Sequence, residues 1–245
     1  TQGTHGTAVS GSAAGGTSAD ADVDLERCSE TLGTLAIDDG REAAWWSAFG
    51  YRTHVTTIEP MIRLMVQQSN CFVITSIGNV RTDSRLSRIT DNQRTSGEYR
   101  PGSKQQKGQR VAADYYMEPS IIIDEAPIGR AGGIVGGILG GTAGAVAGGF
   151  SAASSVVTLS LFDIRSSIQL AASEGSATST NYGAALAGLA GGGGAAFGGL
   201  TNTPEGKATI AAFVDAYNGM VRALRHYKAQ DVDGGLGTGG TLKVN

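Results

Sequence analysis

The residues best suited to covalent chemistry are the two cysteines, Cys28 and Cys71. Neither belongs to a Cys-x-x-Cys motif or to a Cys/His spacing typical of a metal site. Cys28 precedes one predicted strand and Cys71 opens another, so a disulfide can join them if these strands are neighbours. An oxidising compartment would form that bond, and two free buried thiols are the alternative. We expect the disulfide.

No arrangement of side chains predicts catalysis, a metal ion or a cofactor. The three histidines, His5, His54 and His226, fall in a tail, a loop and a helix end, without the spacing of ligands. Asp38-Asp39 follows a predicted strand, where an acidic turn is commoner than a cation site. The glycine runs lack the Lys and Ser/Thr of a phosphate-binding loop. We therefore expect a protein that is not an enzyme and uses no cofactor.

The composition gives no reason to expect a nucleic-acid partner, and its glycines are unevenly distributed along the chain. The net charge is −3, charged residues make up 17% of the chain, and 38 residues are glycine. Residues 1–27 are predicted to be a flexible Gly/Ser/Thr-rich segment, and residues 231–245 a glycine-rich tail. No basic segment followed by an apolar run opens the chain, so Thr1 is expected to be a processed N-terminus.

Between these tails, residues 28–230 alternate between strand and helix patterns, as is typical of an α/β or α+β sandwich. The last helix has the clearest signal, because Thr203 can cap it while Pro204 and Glu205 suit its first turn. Strands are predicted over residues 31–37, 71–77, 111–124 and 156–169, and the other helices over residues 56–68 and 84–95.

Two glycine-rich inserts interrupt this scheme, at residues 129–155 and 175–202. No residue is charged over 131–162 or over 175–204. Transmembrane helices with glycine at four-residue spacing and transmembrane β-hairpins with strands of about 9–11 residues both fit, and the residues alone favour neither. A flexible linker would not need the apolar pairs of the first insert. The candidate membrane residues are Ile134, Ile138, Leu139, Leu186, Leu189 and Phe197.

Five short motifs, in this order, resemble those of one family. They are Leu35-Ala-Ile-Asp-Asp39, Gln68-Ser-Asn-Cys-Phe-Val-Ile-Thr75, Lys107-Gly-Gln-Arg-Val-Ala-Ala-Asp-Tyr-Tyr116, Val156-Val-Thr-Leu-Ser-Leu-Phe-Asp-Ile-Arg165 and Thr203-Pro-Glu-Gly-Lys-Ala208. Their order over about residues 31–228 resembles the CsgG-like curli-secretion channels, a family of outer-membrane assembly proteins.

The resemblance implies a homo-oligomeric ring in the bacterial outer membrane, with the main domain in the periplasm. Each subunit of such a ring contributes two β-hairpins to one large barrel, and the two charge-free inserts occupy the matching positions. The implied function is a passive secretion channel or assembly platform for extracellular polypeptide, aided by accessory periplasmic proteins. The alternative is a periplasmic, self-assembling scaffold or regulator without a pore.

In the resembling family, the loop after the first strand forms the narrowest ring of the pore. The matching stretch here is residues 40–54, which holds Trp45, Trp46, Phe49 and Tyr51 in a chain that is only 6% aromatic. These four residues are therefore the candidate pore constriction. The alternative is that they pack as a subunit contact or as a satellite core, since aromatic residues are enriched at interfaces.

Overall fold

The computed structural model describes residues 25–124, 154–178, 200 and 203–227. These residues form a mixed α/β domain, which confirms the predicted fold class at this level. The strands are β1 (Gly33–Ile37), β2 (Phe72–Ile74), β3 (Tyr115–Asp124), β4 (Ser154–Asp163) and β5 (Gln169–Thr178). The helices are α1 (Trp46–Thr53), α2 (Glu59–Ser69), α3 (Val80–Thr95) and α4 (Pro204–Arg225), with a 3-10 turn at Pro101–Ser103.

The five strands form one sheet in the order β2-β1-β3-β4-β5. β1 is parallel to both of its neighbours, and Leu35 lies opposite Ile74 on one side and Tyr115 on the other. β4 runs antiparallel to both of its neighbours, β3 and β5. The pairing of β1 ends where Ile37 meets Met117, so the antiparallel half of the sheet extends well beyond the parallel half.

The core lies between one face of the sheet and the helices α2 and α4. Val157, Leu159 and Leu161 are buried on that face, and polar or aromatic residues alternate with them along β4. α4 lies directly on β5, because a Cβ atom at Gly175 would come within 2.1 Å of the Ala212 carbonyl oxygen. The close contact fixes α4 along the antiparallel half of the sheet.

Some predicted boundaries are wrong. The strand predicted over residues 156–169 ends at Asp163, because the Asp163 side chain accepts hydrogen bonds from the backbone N–H of Arg165 (2.8 Å) and of Ser166 (2.9 Å) and closes a turn before β5. β5 was not predicted and takes in residues 175–178, the beginning of the second predicted insert. β4 likewise begins within the first predicted insert.

Candidate functional site

The last residue of β3, the first of β4 and the last of β5 lie side by side at one edge of the sheet. Asp124 pairs with Ser154, and Ser154 pairs with Thr178. We call this row of three residues the insert edge. Neighbouring strands lie about 4.8 Å apart, so the three backbones span about 10 Å. The chain leaves the described domain toward both predicted inserts at this one edge.

The beginning of α4 returns the chain to the same edge. The Thr203 hydroxyl caps the helix by accepting a hydrogen bond of 3.1 Å from the backbone N–H of Gly206. The hydroxyls of Thr209 and Ser155 are 3.0 Å apart, and both residues are buried. Ser155 pairs with Ala177, one residue from the insert edge. The first turns of α4 therefore lie beside the edge at which β5 ends.

The two ends of the antiparallel half differ in charge. The two rows next to the insert edge contain no ionisable residue, and they are Ile123-Ser155-Ala177 and Ile122-Val156-Ser176. At the opposite end, Arg165 pairs with Asp114 at 2.8 Å. The backbone N–H of Thr34 donates a hydrogen bond to the Asp114 carboxylate, and this is the main reason that the pKa of Asp114 lies below its usual range. A second hydrogen bond, from the Thr34 hydroxyl, lowers the pKa further. Apart from Asp124 in the edge row itself, the charged residues of β3, β4 and β5 lie at least four rows away from the insert edge.

β5 was not predicted, and neither was the row of residues that defines the insert edge. Ala171, Gly175 and Ala177 are buried on the core side of β5, while Ala172, Glu174 and Ser176 are exposed on the other side. The buried side has only small residues and the exposed side has small or polar ones, so the two sides differ little in hydrophobicity. The period of two was the signal that could have revealed the strand.

The candidate membrane residues Ile134, Ile138, Leu139, Leu186, Leu189 and Phe197 lie outside the described residues. So do the two predicted tails, apart from residues 25–27. The assignment of these segments stays a prediction.

The candidate constriction residues have different surroundings. They lie on and next to α1, where a loop was predicted. The ring centroids of Trp45 are 5.6 Å from those of Trp46 and 5.8 Å from those of Phe49, and both tryptophans are partly buried against the core. Phe49 is only 2% exposed, whereas Tyr51 is 83% exposed. Phe49 is thus a core residue, as the packing alternative predicted, and Tyr51 is the one of the four that projects into solvent.

The predicted disulfide is present in the structure. Cys28 and Cys71 are bonded, with their Cα atoms 4.9 Å apart. The backbone N–H of Cys28 donates to the Ser69 carbonyl (3.0 Å), and that of Leu32 donates to the Cys71 carbonyl (2.7 Å). The Asn70 side chain also donates to the Cys28 carbonyl (2.9 Å). The bond therefore fastens the segment before β1 to the turn between α2 and β2.

A second contact joins the same segment to the end of α4. Glu26 accepts hydrogen bonds from Arg222 (3.1 Å) and Arg225 (2.8 Å). The bond from Arg222 is the main reason that the pKa of Glu26 lies below its usual range. Both helix residues lie in the last turn of α4, where cations also interact favourably with the helix dipole.

The acidic turn after β1 uses its carboxylates in structural bonds. Asp38 accepts from the backbone N–H of Gly40 (2.8 Å) and from the Tyr116 hydroxyl. Asp39 forms an ion pair of 3.2 Å with Arg41. Among the described residues, no group of three or more His, Cys, Asp or Glu side chains is arranged to hold a metal ion.

No protein-family model matches the chain, and no curated protein is significantly similar to it. The family resemblance rests on the motifs and on the order of elements given above. Within residues 25–124, 154–178 and 203–227, no helix combines the length and the apolar character needed to cross a membrane.

Proposed function

We propose that the chain is one subunit of an oligomeric outer-membrane secretion channel or assembly platform for extracellular polypeptide. It acts passively, without a cofactor and without enzymatic activity. The described domain lies in the periplasm, and the two charge-free inserts cross the membrane as β-hairpins. The observation that supports this most strongly is the insert edge, where Asp124, Ser154 and Thr178 lie in one row.

Strands that end in register at one edge can continue into a membrane without a change of direction. A spanning strand needs about 9–11 residues, so a hairpin needs roughly 20–24 with its turn. Residues 131–153 and 179–202 contain no charged residue and each provide that length, whereas Glu125 and Arg130 come before the first of these stretches. Neither β4 nor β5 has an ionisable residue in the two rows before the edge. Lipid excludes unpaired backbone groups and ionised side chains, which agrees with paired, uncharged strands.

Several copies are needed to close such a barrel. Two hairpins provide only four strands, whereas the smallest outer-membrane barrels have about eight. A ring of subunits supplies the remaining strands and leaves no open edge in lipid. The disulfide between Cys28 and Cys71 supports an oxidising compartment such as the periplasm.

The exposed aromatic side chain of Tyr51 gives the ring a candidate constriction. Repeated in every subunit, the phenol would narrow the passage and contact an unfolded polypeptide. Trp45 and Trp46, at the start of α1, pack against each other and against the core.

Membrane fractionation of the full chain tests the proposal. A barrel-forming ring stays in the outer-membrane fraction, needs detergent for release and resists heat in gel loading buffer. A periplasmic scaffold, which is the second candidate, is released by salt or osmotic shock. Release by osmotic shock without detergent would contradict the channel and leave the scaffold.

A further inference from the structure

Helix α3 buries none of its residues against the described part of its own chain. Leu86 is 43% exposed and Ile89 is 51% exposed, although both are apolar. The inner side of the helix is polar, and Arg110 holds it through Asp83 and through Ser87 (3.0 Å). A polar helix of 16 residues gains little stability without an apolar contact, so an unoccupied apolar side points to a partner.

The same helix carries an exposed basic stripe. Arg81, Arg85 and Arg88 are four and three residues apart, so they lie on one face. None of the three forms an ion pair with another described residue. The exposed Ile89 lies beside this stripe, which gives α3 a surface that is both apolar and cationic.

The antiparallel half of the sheet has an exposed face with the opposite character. This face is opposite to the one that α4 covers, and no described helix packs on it. Glu118, Ser120 and Ile122 of β3 and Glu174 of β5 are exposed there, and Ile122 is 62% exposed. Neither glutamate has an ion pair within the described ranges. The surface is therefore apolar and anionic.

The charged residues of the two surfaces have similar spacings. Glu118 and Glu174 lie two strands apart and are offset by two residues, because Thr158 pairs with both Ser120 and Glu174. Their backbones are thus about 12 Å apart. On α3, the rise of an α-helix places Arg81 and Arg88 about 10 Å apart.

Within one copy, α3 is held away from the exposed face of β3, β4 and β5. Its N-cap, Asn79, donates to the Glu59 carboxylate in the first turn of α2. Arg110 binds the side of α3. Two residues later, the Ala112 carbonyl accepts a hydrogen bond from the Thr34 hydroxyl of β1 (2.8 Å). These contacts keep α3 beside the parallel half of the sheet, away from Glu174 at the other end of the strand order.

We infer that α3 of one copy packs on the exposed face of β3, β4 and β5 in the next copy. Arg81, Arg85 and Arg88 then meet Glu118 and Glu174, while Ile89, which lies beside the stripe, covers Ile122. Because the contact joins two different surfaces, it repeats head to tail, and it closes into a ring if the rotation allows. The inference rests on the proposed assembly of several copies and names the contact that builds it.

Cysteine cross-linking of the detergent-extracted full chain tests this contact. The two native cysteines are bonded to each other, so no other described thiol competes. Ile89→Cys and Ile122→Cys, mixed as separate chains, should give disulfide-linked dimers. One chain with both substitutions should give a ladder of higher oligomers. Each single variant alone should give no cross-link, and cross-links in a single variant alone would overturn the head-to-tail contact.

Charge reversal gives an independent measurement. Arg85→Glu with Arg88→Glu, and separately Glu118→Arg with Glu174→Arg, should each cause loss of the oligomer in sedimentation experiments. All four changes together should restore it. Asp215→Arg is the control, because Asp215 is exposed on α4, on the other side of the sheet.

The outcomes separate this inference from the proposed function. If both charge-reversed variants assemble rings normally, and Ile89→Cys and Ile122→Cys give no cross-link, the contact is overturned and the channel still stands. A wild-type oligomer without channel activity, together with cross-links between Ile89→Cys and Ile122→Cys, would support the contact and contradict the channel. A wild-type chain that stays monomeric in detergent would overturn the contact.

Discussion

Asp124 and Ser154 are directly paired across β3 and β4, although residues 125–153 separate them in the chain. The antiparallel ladder therefore continues to the last described residue on both sides of the first insert. Ser154 is in turn paired with Thr178, where the chain departs toward the second insert. This single row brings both inserts to the same edge, which is the geometry that two hairpins entering one membrane require.

The first prediction concerns charge in the inserts. Leu139→Arg or Leu189→Arg should block membrane insertion, because an Arg facing lipid at the midplane of a barrel costs roughly 2–4 kcal/mol in each subunit. Thr7→Arg, in the N-terminal segment, is the matched control and should be silent. The amount of protein in the outer-membrane fraction measures the effect. Equal tolerance of Arg at all three sites would contradict the hairpins.

The second prediction concerns the disulfide. Cys28→Ser with Cys71→Ser should lower the free energy of unfolding by about 4 kcal/mol, as the chain-entropy relation gives for the sequence separation of 43 residues. Urea denaturation of the variant and of the oxidised wild type measures the difference. Peptide mapping without reduction should show the bond, and two thiols open to alkylation in the native protein would contradict it.

The third prediction separates packing from constriction among the aromatic residues. Phe49→Ala should destabilise the domain by about 3–5 kcal/mol, because it empties a buried position. Tyr51→Ser should leave the stability nearly unchanged and raise the single-channel conductance of the ring. Denaturation and planar-bilayer recordings measure the two effects. Unchanged conductance with Tyr51→Ser in an assembled ring would assign Tyr51 to a role outside the pore.

The fourth prediction is a loss of stability at alkaline pH. The hydroxyls of Tyr217 and Ser69 are 2.6 Å apart and both residues are fully buried. Burial raises the pKa of Tyr217 above its ordinary value near 10. The stability from the neutral phenol is therefore complete below about pH 10 and is lost as the pH rises above that value.

Tyr217→Phe tests this dependence. At neutral pH the variant should be less stable by about 1 kcal/mol, the usual value of one hydrogen bond. Between pH 9 and pH 11 its free energy of unfolding should fall less steeply than that of the wild type. Burial also raises the pKa of Tyr116, so Tyr116→Phe provides a comparison at a partly exposed site. Parallel pH profiles of Tyr217→Phe and the wild type would contradict the assignment.

Local signals predicted those elements whose own residues determine them. The cap of α4 was visible in Thr203 and Pro204, and the structure confirms both. The alternation of Val157, Leu159 and Leu161 was likewise enough to give the buried face of β4. The hydrophobic period and the capping residues act within a few positions of the chain, so a short stretch of sequence is enough to predict these elements.

Other elements depend on contacts between distant residues. β5 consists mainly of small residues with little β-propensity, and its position is fixed by pairing with β4 and by the close approach of α4 at Gly175. α1 was predicted as a loop, although Trp46 and Phe49 are three residues apart and Thr53 follows four residues later on the same side. The insert edge could not be predicted either, because its third residue, Thr178, belongs to β5.

Electron cryomicroscopy of the full chain purified in detergent is the decisive test of the proposed channel. We expect a closed ring with a transmembrane β-barrel, in which every subunit contributes four strands that continue from Asp124, Ser154 and Thr178 and return before Thr203. A ring without a transmembrane layer, or one whose inserts are helices, would contradict it.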